Sequence, residues 1–182
     1  MKILLLNSSP RKNGNTKTAL NHLNQGIQSN AKDVEAELLD ITQLKLSGCI
    51  NCNNCKENGG ICIIPDDSNM VVQKIYDSDV IILGTPVYYW GMNAQLKMVI
   101  DKLYCKDDQL RQQKKKLGVV AVGEASVDDP QYQLIFSQME YICNYMGWSF
   151  VFRKPVSAFE ERDLAKDDIQ LQELYDLWAT VV

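Results

Sequence analysis

The chain has 182 residues and a net charge of −4, with 46% hydrophobic and 23% charged residues. This length fits one domain, and the composition excludes a disordered or low-complexity chain. No apolar run approaches the ~18 residues of a membrane span, and the acidic balance disfavours binding to duplex nucleic acid. We therefore expect one cytoplasmic domain over residues 1–182 that binds neither membranes nor nucleic acid.

Short apolar segments, taken in chain order, predict the strands of a sheet at residues 2–6, 34–39, 79–84, 117–123 and 148–152. Helical spacing of apolar residues follows each of them, beginning near residues 16, 66, 93, 131 and 164, and Asn15 and Asn93 are the predicted N-caps of the first and third of these helices. Strands that are apolar throughout and alternate with helices indicate an α/β fold whose parallel sheet is covered on both faces. Ligands of such sheets bind beyond the carboxyl ends of the strands, so the loops there are the functional candidates.

The loop after the first strand has the chemistry of an anion site. Arg11 supplies a fixed positive charge, and Gly14 lets the backbone approach a ligand closely. The loop opens a helix, whose N-terminus offers free N–H groups. Hydroxyl and amide donors come from Ser8, Ser9, Asn13, Asn15 and Thr16. Neither the nucleotide P-loop nor the dinucleotide fingerprint is present, so a phosphate site and an ordinary polar turn both fit.

A long connection at residues 45–65 carries four of the six cysteines in the spacing C-x2-C-x2-C-x6-C. Four thiolates hold an iron–sulfur cubane, and this spacing presents Cys49, Cys52 and Cys55 to it, with Cys62 as the fourth ligand. Zinc sites with four cysteines normally use two knuckles separated by about 15–20 residues, so zinc fits less well. Free thiols without a metal are the third interpretation. Cys105, more than 40 residues away, is interpreted as a buried filler.

The loop at residues 85–91 places three aromatic residues, Tyr88, Tyr89 and Trp90, directly after a buried strand. Pro86 and Gly91 bracket them, so the backbone is both constrained and approachable. A flat ring system lying against this loop would gain stacking and backbone hydrogen bonds. A plug for the core and a subunit interface are the alternatives.

These loops resemble those of a known family. Residues 9–16, Ser-Pro-Arg-Lys-Asn-Gly-Asn-Thr, resemble the S-P-R-x-x-G-N-T phosphate loop of the flavodoxin-like NAD(P)H-dependent FMN reductases. Residues 85–91, with Gln-Leu-Lys at 95–97 and Ile-Asp-Lys at 100–102, resemble the second flavin loop and the helix after it. Residues 48–70 are similar to the cysteine loop of the iron–sulfur flavoprotein branch. The resemblance extends to about residue 123.

The resemblance implies a doubly wound, five-stranded parallel sheet of order 2-1-3-4-5, one FMN per protomer, and a homodimer or homotetramer. It implies that the FMN phosphate is bound by Ser9, Arg11, Gly14, Asn15 and Thr16. Along the isoalloxazine ring it implies Pro86, Val87, Tyr88, Tyr89, Trp90 and Gly91. In the loop after the fourth strand it implies Gly123 and Glu124, with Ala125. A [4Fe–4S] cluster would be held by Cys49, Cys52, Cys55 and Cys62.

The predicted function is an FMN-dependent oxidoreductase that takes electrons from NAD(P)H. The acceptor is a small molecule, such as a quinone, a flavin, an azo or a nitro compound, or else a redox protein. The flavin carries the chemistry at its N5 atom, so no catalytic acid or base is required from the chain. One alternative is an electron carrier fed by ferredoxin, with little NAD(P)H activity. Another is a non-redox domain with a zinc-stabilised loop.

Overall fold

A computed structural model describes all residues of the chain, 1–182, and its centre is a parallel β-sheet. The strands are β1 (Lys2–Asn7), β2 (Glu35–Asp40), β3 (Val80–Tyr88), β4 (Gly91–Met92), β5 (Lys116–Gly123) and β6 (Ser149–Ser157). Five of them lie parallel in the order β2-β1-β3-β5-β6, and the two-residue β4 pairs antiparallel with the end of β3. Counted without β4, this is the flavodoxin-like order 2-1-3-4-5, so the predicted fold class is confirmed.

Helices connect the strands and cover both faces of the sheet. They are α1 (Asn15–Asn30), α2 (Asn54–Glu57), α3 (Ser68–Asp77), α4 (Ala94–Lys102), α5 (Asp107–Leu110), α6 (Pro130–Met146), α7 (Asp168–Asp176) and α8 (Trp178–Val181). Short 3₁₀ turns occupy Ile41–Gln43, Leu103–Lys106 and Leu164–Lys166. None of the helices combines the length and the apolar character needed to cross a membrane.

The side chains of β1 explain why its sequence is apolar at successive positions. Successive side chains of a strand point to opposite faces. Leu4 and Leu6 belong to one core cluster, whereas Ile3 and Leu5 belong to the other, and all four are buried. Because both faces of β1 are packed in the core, both its position in the sheet and its pairing register with the neighbouring strands are fixed. The loops that follow β1, β3 and β5 therefore meet at one edge of the sheet.

Two strands are longer than predicted. β3 continues to Tyr88, so half of the predicted aromatic loop is strand that pairs with β5 and then with β4. β6 continues from the predicted end at residue 152 to Ser157, because its backbone stays paired with β5 as far as Gly123. This extension depends on backbone pairing, and the sequence of an edge strand with exposed polar side chains does not show such pairing.

The helix ends differ from prediction in two places and agree in a third. Gly14, not Asn15, is the residue that precedes α1, and Asn15 is its first helical residue. The single closing helix predicted from residue 164 is divided into a 3₁₀ turn, α7 and α8, because the side chain of Asp167 caps a new helix by accepting from Gln170 N–H. Asn93 caps α4 as predicted and accepts a hydrogen bond from Leu96 N–H.

Candidate functional site

A cavity of about 530 Å³ lies at the carboxyl edge of the sheet, where the loops after β1, β3 and β5 meet. Its volume is in the range of small-molecule and cofactor sites. The residues that line this main cavity are Ser9, Arg11, Asn15, Thr16, Pro86, Val87, Tyr88, Tyr89, Trp90, Val122, Gly123, Glu124, Gln131, Ala158 and Phe159. The structure thus brings together all the predicted cofactor residues except Gly14, Gly91 and Ala125. Sequence reasoning missed Val122, Gln131, Ala158 and Phe159.

One end of the main cavity is suited to an anion. Arg11 is exposed there and makes no ion pair, while Ser9 and Thr16 are buried. No side chain caps the first turn of α1, so its backbone N–H groups are free to bind a ligand. Gly14 packs against the residues that form this end of the cavity: a Cβ atom on it would lie 2.9 Å from Arg11 Cβ and 3.0 Å from Ser9 Oγ. The glycine therefore lets the loop close on itself.

The side chain of Asn15 holds a distant segment against the main cavity. Its Nδ2 donates to the carbonyl of Glu160 at 2.8 Å, and its Oδ1 accepts from Leu164 N–H at 3.3 Å. These contacts fix the segment after β6, which contributes Ala158 and Phe159 to the cavity wall. The side-chain amide of Asn15, which was predicted to bind the phosphate, is therefore already hydrogen-bonded to the protein. The pairing spans 145 residues, so no local pattern could have indicated it.

Asn93 couples the anion loop to the strand that leads into the aromatic residues. Its Nδ2 donates to the carbonyl of Ser8, and its backbone N–H donates to Thr85 Oγ1 at 3.2 Å. Ser8 Oγ in turn donates to the carbonyl of Gly84 at 2.8 Å. These groups are buried, so their hydrogen bonds are protected from water. The sequence indicated Asn93 only as a helix cap.

The aromatic residues form the tip of a tight hairpin rather than a plug for the core. Tyr89 and Trp90 have φ angles of 46° and 60° and link Tyr88 to its antiparallel partner Gly91. Two consecutive residues with positive φ are typical of the two-residue hairpin turns that match the twist of the strands. Tyr89 is 97% exposed and Trp90 is 60% exposed. Gly91 has no positive φ and lies outside the cavity wall.

The third side of the main cavity contains an unpaired buried donor. Gln131 lines the cavity, is 9% exposed, and its Nε2 atom has no hydrogen-bond partner. A Cβ atom on Gly123 would lie 2.9 Å from that nitrogen, so the glycine makes room for it. Buried donors without a partner are rare in folded proteins.

The four clustered cysteines line a second, smaller cavity, which we call the cysteine cavity. Cys105 is buried, as predicted, but it lines this cavity as well, although it is more than 40 residues away in the sequence. Burial and the neighbouring thiols of Cys55 and Cys62 raise the pKa of Cys105 to about 12. The 3₁₀ turn after α4 brings it there, a long-range contact that the spacing of the other four cysteines does not reveal. No three His, Cys, Asp or Glu side chains converge into a site for one metal ion.

Side chains near the start of α3 hold both ends of the cysteine loop. Asp67 accepts from Lys45 N–H at 2.7 Å. Asn69 pairs with the backbone of Cys62, accepting from its N–H at 2.8 Å and donating to its carbonyl at 2.9 Å. Burial opposes the charge of Asp66, but hydrogen bonds from Ser47 and Ser68 outweigh it and lower the pKa of Asp66 to about 2. The loop is therefore anchored by protein contacts where it meets α3.

Comparison with known proteins identifies the family. Residues 1–145 match the family described as NADPH-dependent FMN reductase, so the chain belongs to that family. An iron–sulfur flavoprotein of Methanocaldococcus jannaschii is 37% identical over 123 residues, which cover 68% of this chain and 62% of that protein. A Bacillus subtilis protein named as an NAD(P)H-dependent FMN-containing oxidoreductase is 26% identical over 159 residues, 82% of this chain and 81% of its own.

A solved structure shows the same fold. The FMN-dependent NADH-azoreductase of Bacillus anthracis, solved in complex with FMN, superposes with a TM-score of 0.68 at 11% identity and covers 98% of both chains. The family and the fold predicted from residues 9–16 and 85–91 are both confirmed. The chain spans less than two thirds of the length of the first curated iron–sulfur flavoproteins it matches.

Proposed function

We propose that the chain is an FMN-dependent oxidoreductase that accepts a hydride from NAD(P)H and passes electrons to a second acceptor. The main cavity carries this proposal, because it joins an unpaired cation, exposed aromatic rings and an unpaired buried donor in one space. These are the features that a phosphate-bearing flat ring system requires. Membership of the NADPH-dependent FMN reductase family supports the same conclusion.

FMN supplies the hydride chemistry when it is bound, and the chain binds and orients it. Arg11, Ser9, Thr16 and the first turn of α1 would hold the phosphate. The hairpin of β3 and β4 and the loop after β5 would flank the ring, with Gln131 Nε2 as a donor. Arg11 is the only basic residue and Glu124 the only acidic residue that lines the cavity. We infer no acid or base role for either, because FMN would supply the hydride chemistry.

We further propose that Cys49, Cys52, Cys55 and Cys62 hold a [4Fe–4S] cluster. Their soft thiolates suit iron–sulfur clusters and zinc alike. A tetrahedral zinc site holds all four sulfurs about 2.3 Å from one ion, whereas a cubane distributes its ligands over separate irons. All four thiols line one cavity, as a shared cluster requires. The name of the M. jannaschii relative points the same way.

An electron carrier fed by ferredoxin is the second candidate. It draws support from the relatives named iron–sulfur flavoproteins, since a cluster adds a one-electron route that a hydride-fed flavin does not need. We propose a homo-oligomer in either case, because Tyr89, Trp90 and Phe159 leave large apolar surfaces exposed at the mouth of the main cavity. Six free cysteines fit a cytoplasmic location, where thiols stay reduced.

Anaerobic rapid mixing separates the two candidates. The protein with its native flavin is mixed with NADH, NADPH or reduced ferredoxin, and the loss of the flavin absorbance band is followed. Free FMN with the same nucleotide is the control for uncatalysed reduction. The enzyme proposal predicts reduction by at least one nucleotide, much faster than in the control. Reduction by ferredoxin alone would replace the enzyme with the carrier, and a colourless protein would contradict both.

A further inference from the structure

A buried lysine, which the family's cofactor does not account for, contacts one of the cysteines that line the cysteine cavity. Lys102, the last residue of α4, has a side chain that is 1% exposed, and its ion-pair partner Asp66 is 3% exposed. Lysine is almost never fully buried unless it is paired. Replacement of buried ion pairs by apolar residues is often neutral or stabilising, so the fold alone gives little reason for one here.

The hydrogen bonds around Asp66 show where the charge of Lys102 is directed. Asp66 accepts from the backbone N–H groups of Ser47 and Ser68 at 3.0 and 2.9 Å, and from both serine hydroxyls. Both carboxylate oxygens of Asp66 therefore accept hydrogen bonds from the serines, without any contribution from Lys102. Lys102 Nζ lies 3.5 Å from the carboxylate, and it donates to Cys62 Sγ at 3.3 Å. The shorter contact of the ammonium is to the sulfur.

We propose that Lys102 is a positioning residue for the iron–sulfur cluster, which tunes the cluster by donating a charged hydrogen bond to the Cys62 thiolate. Hydrogen bonds to cluster sulfurs and nearby charge set reduction potentials. A fixed positive charge stabilises the reduced cluster, which carries one more negative charge, more than the oxidised cluster. Lys102 therefore raises the potential, and Asp66 limits that effect. This inference rests on the proposed cluster, and it adds which residue controls its potential.

The test is a potentiometric titration of anaerobically reconstituted protein, in which the reduced cluster is quantified by electron paramagnetic resonance. In Lys102→Met we expect the ratio of reduced to oxidised cluster at a fixed potential to fall at least tenfold. For a one-electron couple this is a shift of 59 mV to more negative potential. Lys97→Met is the matched control, since Lys97 lies on the same helix and its side chain is 45% exposed.

Asp66→Asn is the second variant, and it distinguishes electrostatic tuning from simple damage to the loop. Removing the counter-charge leaves Lys102 unopposed, so the potential should move in the positive direction. A merely structural pair would lose cluster in both variants and would not shift the potential in opposite directions. If Lys102→Met fails to fold, Lys102→Gln takes its place, because it removes the charge but keeps a donor, and it should shift the potential in the same negative direction.

Each outcome bears on one of the two proposals. Opposite shifts in the two variants, with Lys97→Met unchanged, support the role of Lys102. A full cluster whose potential is unchanged in Lys102→Met, or unchanged in Asp66→Asn, overturns that role and leaves the cluster standing. Wild-type protein that takes up no iron or sulfide overturns the cluster and, with it, the inference about Lys102.

Discussion

Replacing Arg11 with alanine removes the only cation among the residues that line the main cavity. A hydrogen bond to a charged group contributes about 1.5–3 kcal/mol. Arg11 is exposed and makes no ion pair, so solvent screens its charge but no other contact has to be broken when it binds phosphate. We therefore expect a loss near the lower end of that range, which weakens FMN binding roughly 10- to 30-fold.

Quenching of flavin fluorescence on titration of apo-protein measures this loss. Riboflavin, which lacks the phosphate, serves as the matched ligand, and its affinity should not change in Arg11→Ala. Lys12→Ala is the matched variant, because Lys12 is the neighbouring exposed cation and does not line the cavity. Equal losses for FMN and riboflavin, or an unchanged FMN affinity, would place the phosphate elsewhere and refute the reasoning.

Three further predictions concern other parts of the two cavities. Cys49→Ser should abolish the cluster, whereas Cys105→Ser should keep four irons and four sulfides per chain; the reverse result would exchange their roles. Gln131→Leu should weaken FMN binding by about 2- to 10-fold, the effect of one neutral hydrogen bond, in the same fluorescence titration; unchanged affinity would mean that Nε2 does not contact FMN. The pKa of Asp66 is about 2 in the folded protein, below its value in the unfolded chain. The ionised carboxylate therefore contributes roughly 2 kcal/mol to the free energy of unfolding above about pH 4, and this contribution is lost as the pH falls towards 2. Urea unfolding of wild type and Asp66→Asn at pH 7 and at low pH should show the difference shrinking in acid, and a constant difference would contradict it.

The arrangement of the main cavity could be predicted largely because parallel strands bring their carboxyl ends to one edge. The apolar run in β1 fixed the first strand, so the polar residues from Ser9 to Thr16 had to follow it at that edge. The same reasoning placed residues 85–91, at the end of β3 and in the turn after it, at the same edge. These inferences depend on local patterns, and each motif lies within a few residues of the strand that positions it.

The site residues that the sequence did not reveal reach their positions through contacts between distant parts of the chain. Phe159 reaches the main cavity only because the edge strand β6 extends beyond Phe152 and because Asn15 holds the segment after it. Cys105 reaches the cysteine cavity through the turn after α4, and Lys102 reaches Cys62 from the end of the same helix. Cys105 has no motif of its own, and the motif at residues 100–102 does not point to the cysteine loop, so the three-dimensional fold was needed to connect both positions to it.

The native cofactor is the most direct test of the central claim, which is that the main cavity binds FMN. Protein purified without added flavin should be denatured, and the released cofactor identified by mass and quantified against the chain. We expect FMN at one molecule per chain, because the cavity offers one anion-binding end and the chain has no fingerprint for a dinucleotide. Native FAD would contradict it, and so would a chain that neither contains FMN nor takes it up when FMN is supplied.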